Sequence, residues 1–104
     1  MENAVMVLKA KSDKASLRTM AYQVAQITTK CVELDVKIID CIVTFGGVKD
    51  VLRELKKLDA GKRFDSVIIY SPSQICKDDA EYQAFVDEVQ TTLKAGVRYI
   101  RSPN

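Results

Sequence analysis

The stretch Ser66–Phe85, SVIIYSPSQICKDDAEYQAF, joins a buried strand to the start of an amphipathic helix. Val67–Tyr70 is a continuous apolar run that predicts a central strand. The intervening segment Ser71–Lys77 follows the carboxyl end of that strand, where α/β proteins usually carry their active sites. It contains two hydroxyls, an amide, a thiol and one cation, but no carboxylate, arginine or histidine. This segment therefore holds either a site of unusual chemistry or a site that has lost its chemistry.

The same alternation of strand and helix patterns extends in both directions. We predict strands at Ala4–Leu8, Asp35–Val43, Val67–Tyr70 and Val97–Ile100, and helices at Ala15–Lys30, 48–58 and 82–93. The apolar stripe of the first helix consists of Leu17, Met20, Ala21, Val24, Ile27 and Cys31. The order β-α-β-α-β-α-β favours an α/β fold: an open parallel sheet of about four strands with helices on both faces, in three layers.

The composition is typical of one soluble globular domain. The chain has 104 residues, 47% of them hydrophobic and 29% charged, with a net charge of +2. That charge is too small to indicate nucleic-acid binding by itself. No apolar run approaches the length that spans a bilayer, and no signal peptide precedes the first strand, so we expect a cytoplasmic protein without a membrane partner.

Histidine is absent, which removes the commonest general base and the commonest transition-metal ligand. Cys31, Cys41 and Cys76 are odd in number and lack C-x-x-C spacing, so the sequence predicts neither a disulfide framework nor a metal site, and indicates no cofactor. Cys31 and Cys41 are interpreted as small buried hydrophobes. Cys76 lies in the segment of interest, and either a buried or a reactive thiol fits its position.

Three connecting segments, residues 9–14, 44–47 and 71–78, should meet at the carboxyl ends of the strands. In the first, lysines surround Ser12, which either caps the following helix or helps to bind a phosphate. In the second, Gly46 and Gly47 either form a turn or allow a ligand to approach the backbone. The pattern contains no G-x-G-x-x-G, no Walker loop, no receiver-type aspartate cluster and no thioredoxin C-x-x-C, and it matches a flavin-phosphate loop poorly.

Three further stretches follow one another in a familiar order: AVMVLKAKSDKASLRTMAYQVAQI, then GKRFD leading into the third strand, then Ala95-Gly96-Val97 leading into the last strand. With these stretches, nearly the whole chain, residues 4–101, resembles the N-terminal catalytic domain of the serine recombinases, the resolvase/invertase family. It implies a resolvase-like fold of flavodoxin-like topology, site-specific DNA recombination through a phosphoserine intermediate, and assembly into oligomers.

The resemblance places Ser12 at the position of the nucleophile. The arginine expected two residues earlier is Ala10, and another falls near Val48 or Lys49. The family pattern Asp-Arg-Leu-x-Arg after the third strand reads Ser73–Lys77 here, so its two arginines are replaced by Gln74 and Lys77. Lys11, Lys49, Gln74 and Lys77 are the residues that remain to contact a DNA phosphate.

A single catalytic arginine can contribute about 10³ to 10⁵ in the rate of phosphoryl transfer. Lysine supplies charge without the bidentate fork of arginine. We therefore expect a degenerate active site in a domain that pairs with itself or with a full-length recombinase and binds DNA weakly alone. Residual strand transfer through Ser12 and binding of a small phosphate or other anion are the alternatives.

Residues 1–104 are interpreted as one catalytic-type domain. Serine recombinases usually continue into a long dimerisation helix and a DNA-binding domain, and we expect both to be absent from this sequence, which ends before them.

Overall fold

The computed structural model describes residues 1–10 and 14–101. Its elements are β1 (Glu2–Lys9), α1 (Lys14–Leu34), β2 (Val36–Thr44), α2 (Val48–Asp59), β3 (Ser66–Ile69), α3 (Pro72–Ile75), α4 (Asp79–Thr92) and β4 (Gly96–Tyr99). The strands form one parallel sheet in the order β2-β1-β3-β4. The predicted α/β class and parallel four-stranded sheet are confirmed.

The side chains of β1 divide between the two faces of the sheet. Val5 and Val7 pack with buried residues of α2 and α4, whereas Ala4, Met6 and Leu8 pack with buried residues of α1. Both faces of this strand are covered, which explains why its sequence is apolar at successive positions and does not alternate. The helices therefore lie on both faces, with α1 on one and α2 and α4 on the other, as predicted.

The helix α1 differs from the prediction in which residues it buries against the sheet and in where it ends. Its contacts with the sheet are made by Met20, Val24, Ile27 and Cys31. Leu17 and Ala21, which were predicted in the same stripe, are exposed. The helix continues to Leu34, and Asp35 then adopts a left-handed φ of 59°, which ends the helix and makes β2 begin at Val36.

β2 contains a bulge near its middle. Ala4 pairs with Ile38 and Val5 pairs with Asp40, so Ile39 is an extra residue without a partner on β1. The sequence marks this insertion only by two adjacent apolar residues, Ile38 and Ile39, between Lys37 and Asp40, and such a pair also fits a regular strand that is buried on both faces.

The segment after β3 is more ordered than the predicted connecting segment. Pro72–Ile75 forms the single-turn helix α3, with proline at its start, a position that tolerates the missing N–H. At the ends of the first connecting segment, Lys9 belongs to β1 and Lys14 to α1.

Arginine side chains join separate elements at the amino end of the sheet. Arg98 Nε and Nη2 donate to Glu2 Oε2 and Oε1 at 3.0 and 2.8 Å. Arg63 Nη1 and Nη2 donate to the carbonyls of Leu93 and Lys94, both at 2.8 Å. The bonds of Arg98 connect the first strand to the last. The bonds of Arg63 connect the segment before β3 to the segment before β4.

The tyrosines form two pairs, one joining α1 to the residue after β3 and the other joining α4 to β4. Tyr22 of α1 meets Tyr70 edge-on at 6.5 Å between ring centroids, and Tyr82 of α4 meets Tyr99 in the same way at 6.2 Å. Tyr70 packs against the α1 layer and Tyr82 against the α2/α4 layer. Each helical layer therefore has its own aromatic contact with the sheet.

Candidate functional site at the carboxyl end of the sheet

The chain changes direction across the sheet between β1 and β3. From β1 it moves outward to β2, and from β3 it moves outward to β4, so the two central strands form the topological switch point. Ligands of open α/β sheets bind outside the carboxyl ends of the strands at this point. The segments after β1 and β3 flank it, and these are the segments that the sequence singled out.

The segment after β1 is anchored where it leaves the sheet. The N–H of Ala10 donates to the carbonyl of Thr44 at 2.9 Å, and the methyl group of Ala10 is buried. The resemblance places an arginine at this position, where this chain has the buried Ala10. Lys11 and Ser12, two of the predicted site residues, lie outside the described residues.

The turn after β2 is stabilised by its own side chains. The Oγ1 of Thr44 accepts from the N–H of Gly46 at 3.0 Å. A Cβ at position 46 would lie 1.5 Å from Oδ2 of Asp50, so only glycine allows this carboxylate to pack so closely on the backbone. Asp50 also pairs with Arg53 at 2.8 Å. A carboxylate in the first turn of α2 opposes binding of an anion at that helix end.

The segment after β3 is held by hydroxyl and amide contacts. The Oγ atoms of Ser71 and Ser73 lie 3.0 Å apart. Nε2 of Gln74 donates to Oε1 of Gln23 on α1, and Oε1 of Gln74 is buried without a partner among the described residues. Gln74 thus connects α3 to α1 at the position where the resemblance places an arginine.

Cys76 belongs to the hydrophobic core. Its side chain is buried with the α2/α4 cluster. Burial raises the pKa of its thiol to about 11, and the negative charges of Glu81 and Asp78 contribute a smaller part of this rise. At neutral pH the group is therefore protonated, which makes it a poor nucleophile. Of the two roles open to Cys76, the structure favours that of a buried hydrophobe.

Two predicted phosphate contacts are Lys49, in the first turn of α2, and Lys77, in the short segment between α3 and α4. Both side chains are exposed, and neither makes an ion pair with the described residues. Lys49 borders a groove between α2 and α4 together with the carboxylates of Glu81 and Glu88. The backbone N–H of Lys77 donates to Oε1 of Glu81 at 3.0 Å. Acidic neighbours therefore accompany both lysines.

The sequence interpretation overlooked one cation at this end, Arg101. Its N–H donates to the carbonyl of Tyr70 at 2.8 Å, and a side-chain hydrogen bond with Tyr70 raises the pKa of the guanidinium. Tyr70 in turn meets Tyr22. The signal was present in the sequence, because Arg101 comes directly after the last apolar run and therefore at the carboxyl end of β4.

Neither the family models nor the curated proteins contain a match to this sequence. Among solved structures, the chain is similar to the crystal structure of the C-terminal catalytic domain of ISC1926 TnpA, an IS607-like serine recombinase. The two are 16% identical, the match covers 96% of this chain and 71% of that chain, and the TM-score is 0.74. The protein has the fold of a serine recombinase catalytic domain.

This recombinase fold confirms the architecture that the sequence resemblance implied. The matched domain is C-terminal in its own protein, whereas the resemblance drawn from the sequence was to an N-terminal catalytic domain. The site residues remain predictions. In residues 1–10 and 14–101 no helix is long and apolar enough to cross a membrane. Within the same ranges no group of three or more Cys, Asp or Glu side chains could hold a metal ion.

Proposed function

We propose that this domain is a serine-recombinase-like module with an impaired catalytic site, and that it acts by pairing with itself or with a full-length recombinase. It does not break DNA strands at a useful rate. The proposal is supported mainly by the segment after β3, where Gln74 is bonded to Gln23 and no guanidinium is present.

The distribution of arginines supports the same conclusion. The chain has five arginines, at positions 18, 53, 63, 98 and 101. Arg53 pairs with Asp50, while Arg63 and Arg98 are bound at the amino end of the sheet. A transferring phosphoryl group requires several cations that converge on it. Three of the five arginines therefore bind partners within the fold and do not converge on the segment after β3.

The test is whether a covalent protein–DNA adduct forms. We expect no adduct on denaturing gels after incubation with nicked or intact duplex DNA, and we expect the Ser12→Ala variant to give the same result. A positive control is an active serine recombinase on its own substrate under the same conditions. An adduct that forms with the natural chain and disappears in Ser12→Ala would overturn the proposal.

Pairing is measured separately, by sedimentation of the chain alone and mixed with a full-length serine recombinase. We expect a complex in at least one of the two experiments. A chain that sediments as a monomer at all concentrations and leaves the recombinase unaffected would contradict the pairing role while leaving the question of catalysis open.

Arg101 supports one second candidate, residual strand transfer through Ser12. Its guanidinium lies at the carboxyl end and is bonded to Tyr70, so one arginine does remain there. If an adduct is observed, Arg101→Gln should reduce its rate by about 10³-fold or more. Arg98→Gln is the matched control, because Arg98 lies on β4, three residues before Arg101, but is bound to Glu2. Equal effects of the two variants would argue against this role of Arg101.

A further inference from the structure

A groove of about 720 Å³ lies between α2 and α4, on the side of the sheet opposite α1. Its floor is apolar and consists of Val48 and Leu52 from α2 and of Ala84 and Phe85 from α4. Small-molecule sites have volumes of this size, and they are mostly apolar with a few polar groups. Among the described residues, none from the segments after β1 and β3 borders the groove, so it is distinct from the candidate site at the switch point.

Lysine and glutamate residues recur at the same interval along the two walls of the groove. On α2, Lys49 and Lys56 are seven residues apart. On α4, Glu81 and Glu88 are also seven residues apart. Seven residues make about two turns, so the members of each pair lie on the same side of their helix and about 10 Å apart. Both helices connect parallel strands and run in the same direction, so a lysine is matched with a glutamate at each end of the groove.

An ion pair closes one of these two ends. Nζ of Lys56 lies 3.0 Å from Oε1 of Glu88. At the other end, Lys49 makes no ion pair with residues 1–10 and 14–101, and Glu81 uses its Oε1 to accept from the backbone N–H of Lys77 at 3.0 Å. That end therefore presents one positive and one negative side chain without an ion pair between them.

The third carboxylate that borders the groove belongs to Asp50, and it has a cation of its own, because Arg53 lies 2.8 Å away. Lys49 and Glu81 are thus the charged groups that remain for a ligand. A ligand with a carboxylate alone would be attracted by Lys49 and repelled by Glu81, and a ligand with an ammonium group alone would meet the reverse. A ligand that carries both charges on adjacent atoms satisfies both residues.

We infer that this groove binds a free α-amino acid with a large apolar side chain. The carboxylate of the amino acid lies at Lys49, its ammonium group lies at Glu81, and its side chain lies along Leu52 and Ala84 towards the closed end. For a ligand of this size in an open groove, a Kd on the order of 1 mM is expected. The inference goes beyond the proposed pairing function and does not rest on it.

The first experiment compares three ligands that share a phenyl ring. L-Phenylalanine carries both charges, 3-phenylpropionate carries the carboxylate alone, and 2-phenylethylamine carries the ammonium group alone. In amide NMR titrations, phenylalanine should shift the resonances of Lys49, Leu52 and Ala84, and its Kd should be at least about tenfold lower than that of either analogue. Equal affinities of the three ligands would show that only the ring is bound. That result, or the absence of these shifts, would overturn the inference.

The second experiment inverts the preference by removing one charge at a time. Lys49→Gln should bind 2-phenylethylamine more tightly than phenylalanine, because the carboxylate of Glu81 then stands alone. Glu81→Gln should bind 3-phenylpropionate more tightly than phenylalanine, and its amide oxygen can still accept from the N–H of Lys77. Lys57→Gln is the matched control, since Lys57 lies on the same helix, pairs with Glu54 at 3.5 Å and does not border the groove. A uniform loss of affinity for all three ligands in either variant would contradict the role of its charge.

The third experiment fills the groove. Ala84 is exposed on α4 and borders the groove, so Ala84→Trp should block binding of phenylalanine without disturbing the core. Gln83→Trp is the matched control, because Gln83 is the preceding exposed residue and does not border the groove. Circular dichroism should show the same helix content in both variants. Binding that survives Ala84→Trp would place the ligand elsewhere and overturn the inference.

The outcomes separate this inference from the proposed function. A chain that does not bind phenylalanine overturns the amino-acid site, while pairing and catalysis are still decided by sedimentation and by the adduct test. A Ser12-dependent adduct, or a chain that pairs with nothing, overturns its own part of the proposed function without bearing on the groove.

Discussion

At the amino end of the sheet, cations are bound to the protein itself: Arg98 to Glu2, and Arg63 to the carbonyls of Leu93 and Lys94. At the carboxyl end, Lys49 and Lys77 are exposed and unpaired within the described part of the chain. At the amino end, side-chain hydrogen bonds of arginine connect separate elements of the fold. The carboxyl end has free charge but little of the planar, bidentate kind that phosphoryl transfer requires. Two arginines of this chain thus bind within the fold at the amino end, whereas Ala10, Gln74 and Lys77 occupy positions where the family resemblance places arginines.

The largest change in stability is expected from a substitution in the core at the amino end. Phe64 precedes β3 and is completely buried. Phe64→Ala should lower the free energy of unfolding by about 3–5 kcal/mol, because it removes a large ring and leaves a cavity. Urea denaturation measures the change. Leu17→Ala, at an exposed site, should change it by less than about 0.5 kcal/mol. Similar losses in both variants would show that burial at this end does not determine stability.

Thiol reactivity tests whether the carboxyl end contains a reactive group. With a pKa of about 11 against an ordinary 9.0, the thiolate fraction of Cys76 at pH 8 is roughly a hundredfold below that of an ordinary thiol. Cys41 is exposed, so the prediction from the sequence that it is buried was wrong. Iodoacetamide followed by mass spectrometry should therefore modify Cys41 first and Cys76 much later. Denaturant should remove the difference. Rapid modification of Cys76 in the folded chain would contradict its place in the core.

The start of α4 provides a local test of stability at the carboxyl end. Oδ1 of Asp78 accepts from the N–H of Glu81 at 2.8 Å and caps the helix. Asp78→Ala should cost about 1 kcal/mol, whereas Asp78→Asn should retain most of the stability because asparagine also caps. Thermal unfolding of the two variants measures both. Equal losses would mean that the charge of Asp78, and not its cap, is important.

The smallest effect is expected from the ion pair at the amino end. The side-chain hydrogen bond from Arg98 holds the pKa of Glu2 below its ordinary 4.5. A depressed pKa in the folded chain contributes stability above pH 4.5, and this contribution is lost as the pH falls through the folded value. Because the pair is partly exposed, we expect at most about 1 kcal/mol.

Glu2→Gln should therefore reduce stability at pH 7 slightly and flatten its decline below pH 4.5. Stability measured by urea denaturation at a series of pH values compares the variant with the natural chain. A decline of the same steepness in Glu2→Gln would show that other carboxylates are responsible for it.

The sequence predicted the architecture well because burial on both faces of β1 and β3 gives continuous apolar runs, and amphipathic stripes mark the helices. It did not predict the features that depend on single residues. The bulge at Ile39 was not predicted, because two adjacent isoleucines before Asp40 also fit a regular strand that is buried on both faces. The helix α3 has only one turn, too short for periodicity, although Pro72 marks its start.

The sequence predicted where the candidate site lies, but it predicted the residues and contacts of that site less completely. The segment after β3 was found because parallel topology places it at the switch point. The contact of Gln74 with Gln23 joins residues far apart in the sequence, and a single sequence contains no information on such pairs. Arg101 was overlooked because the predicted strand ended at Ile100 and the resemblance gave no role to the residue after it, although the strand order brings Arg101 beside Tyr70.

The two tyrosine pairs give this molecule a spectroscopic property. The chain has four tyrosines and no tryptophan. Tyr22 and Tyr70 connect α1 to the sheet, whereas Tyr82 and Tyr99 connect α4 to it. Fluorotyrosine incorporated throughout the chain would therefore give four ¹⁹F resonances, two for each helical layer, without any mutation. Binding near the switch point should shift the first two, and loosening of the opposite layer should shift the other two.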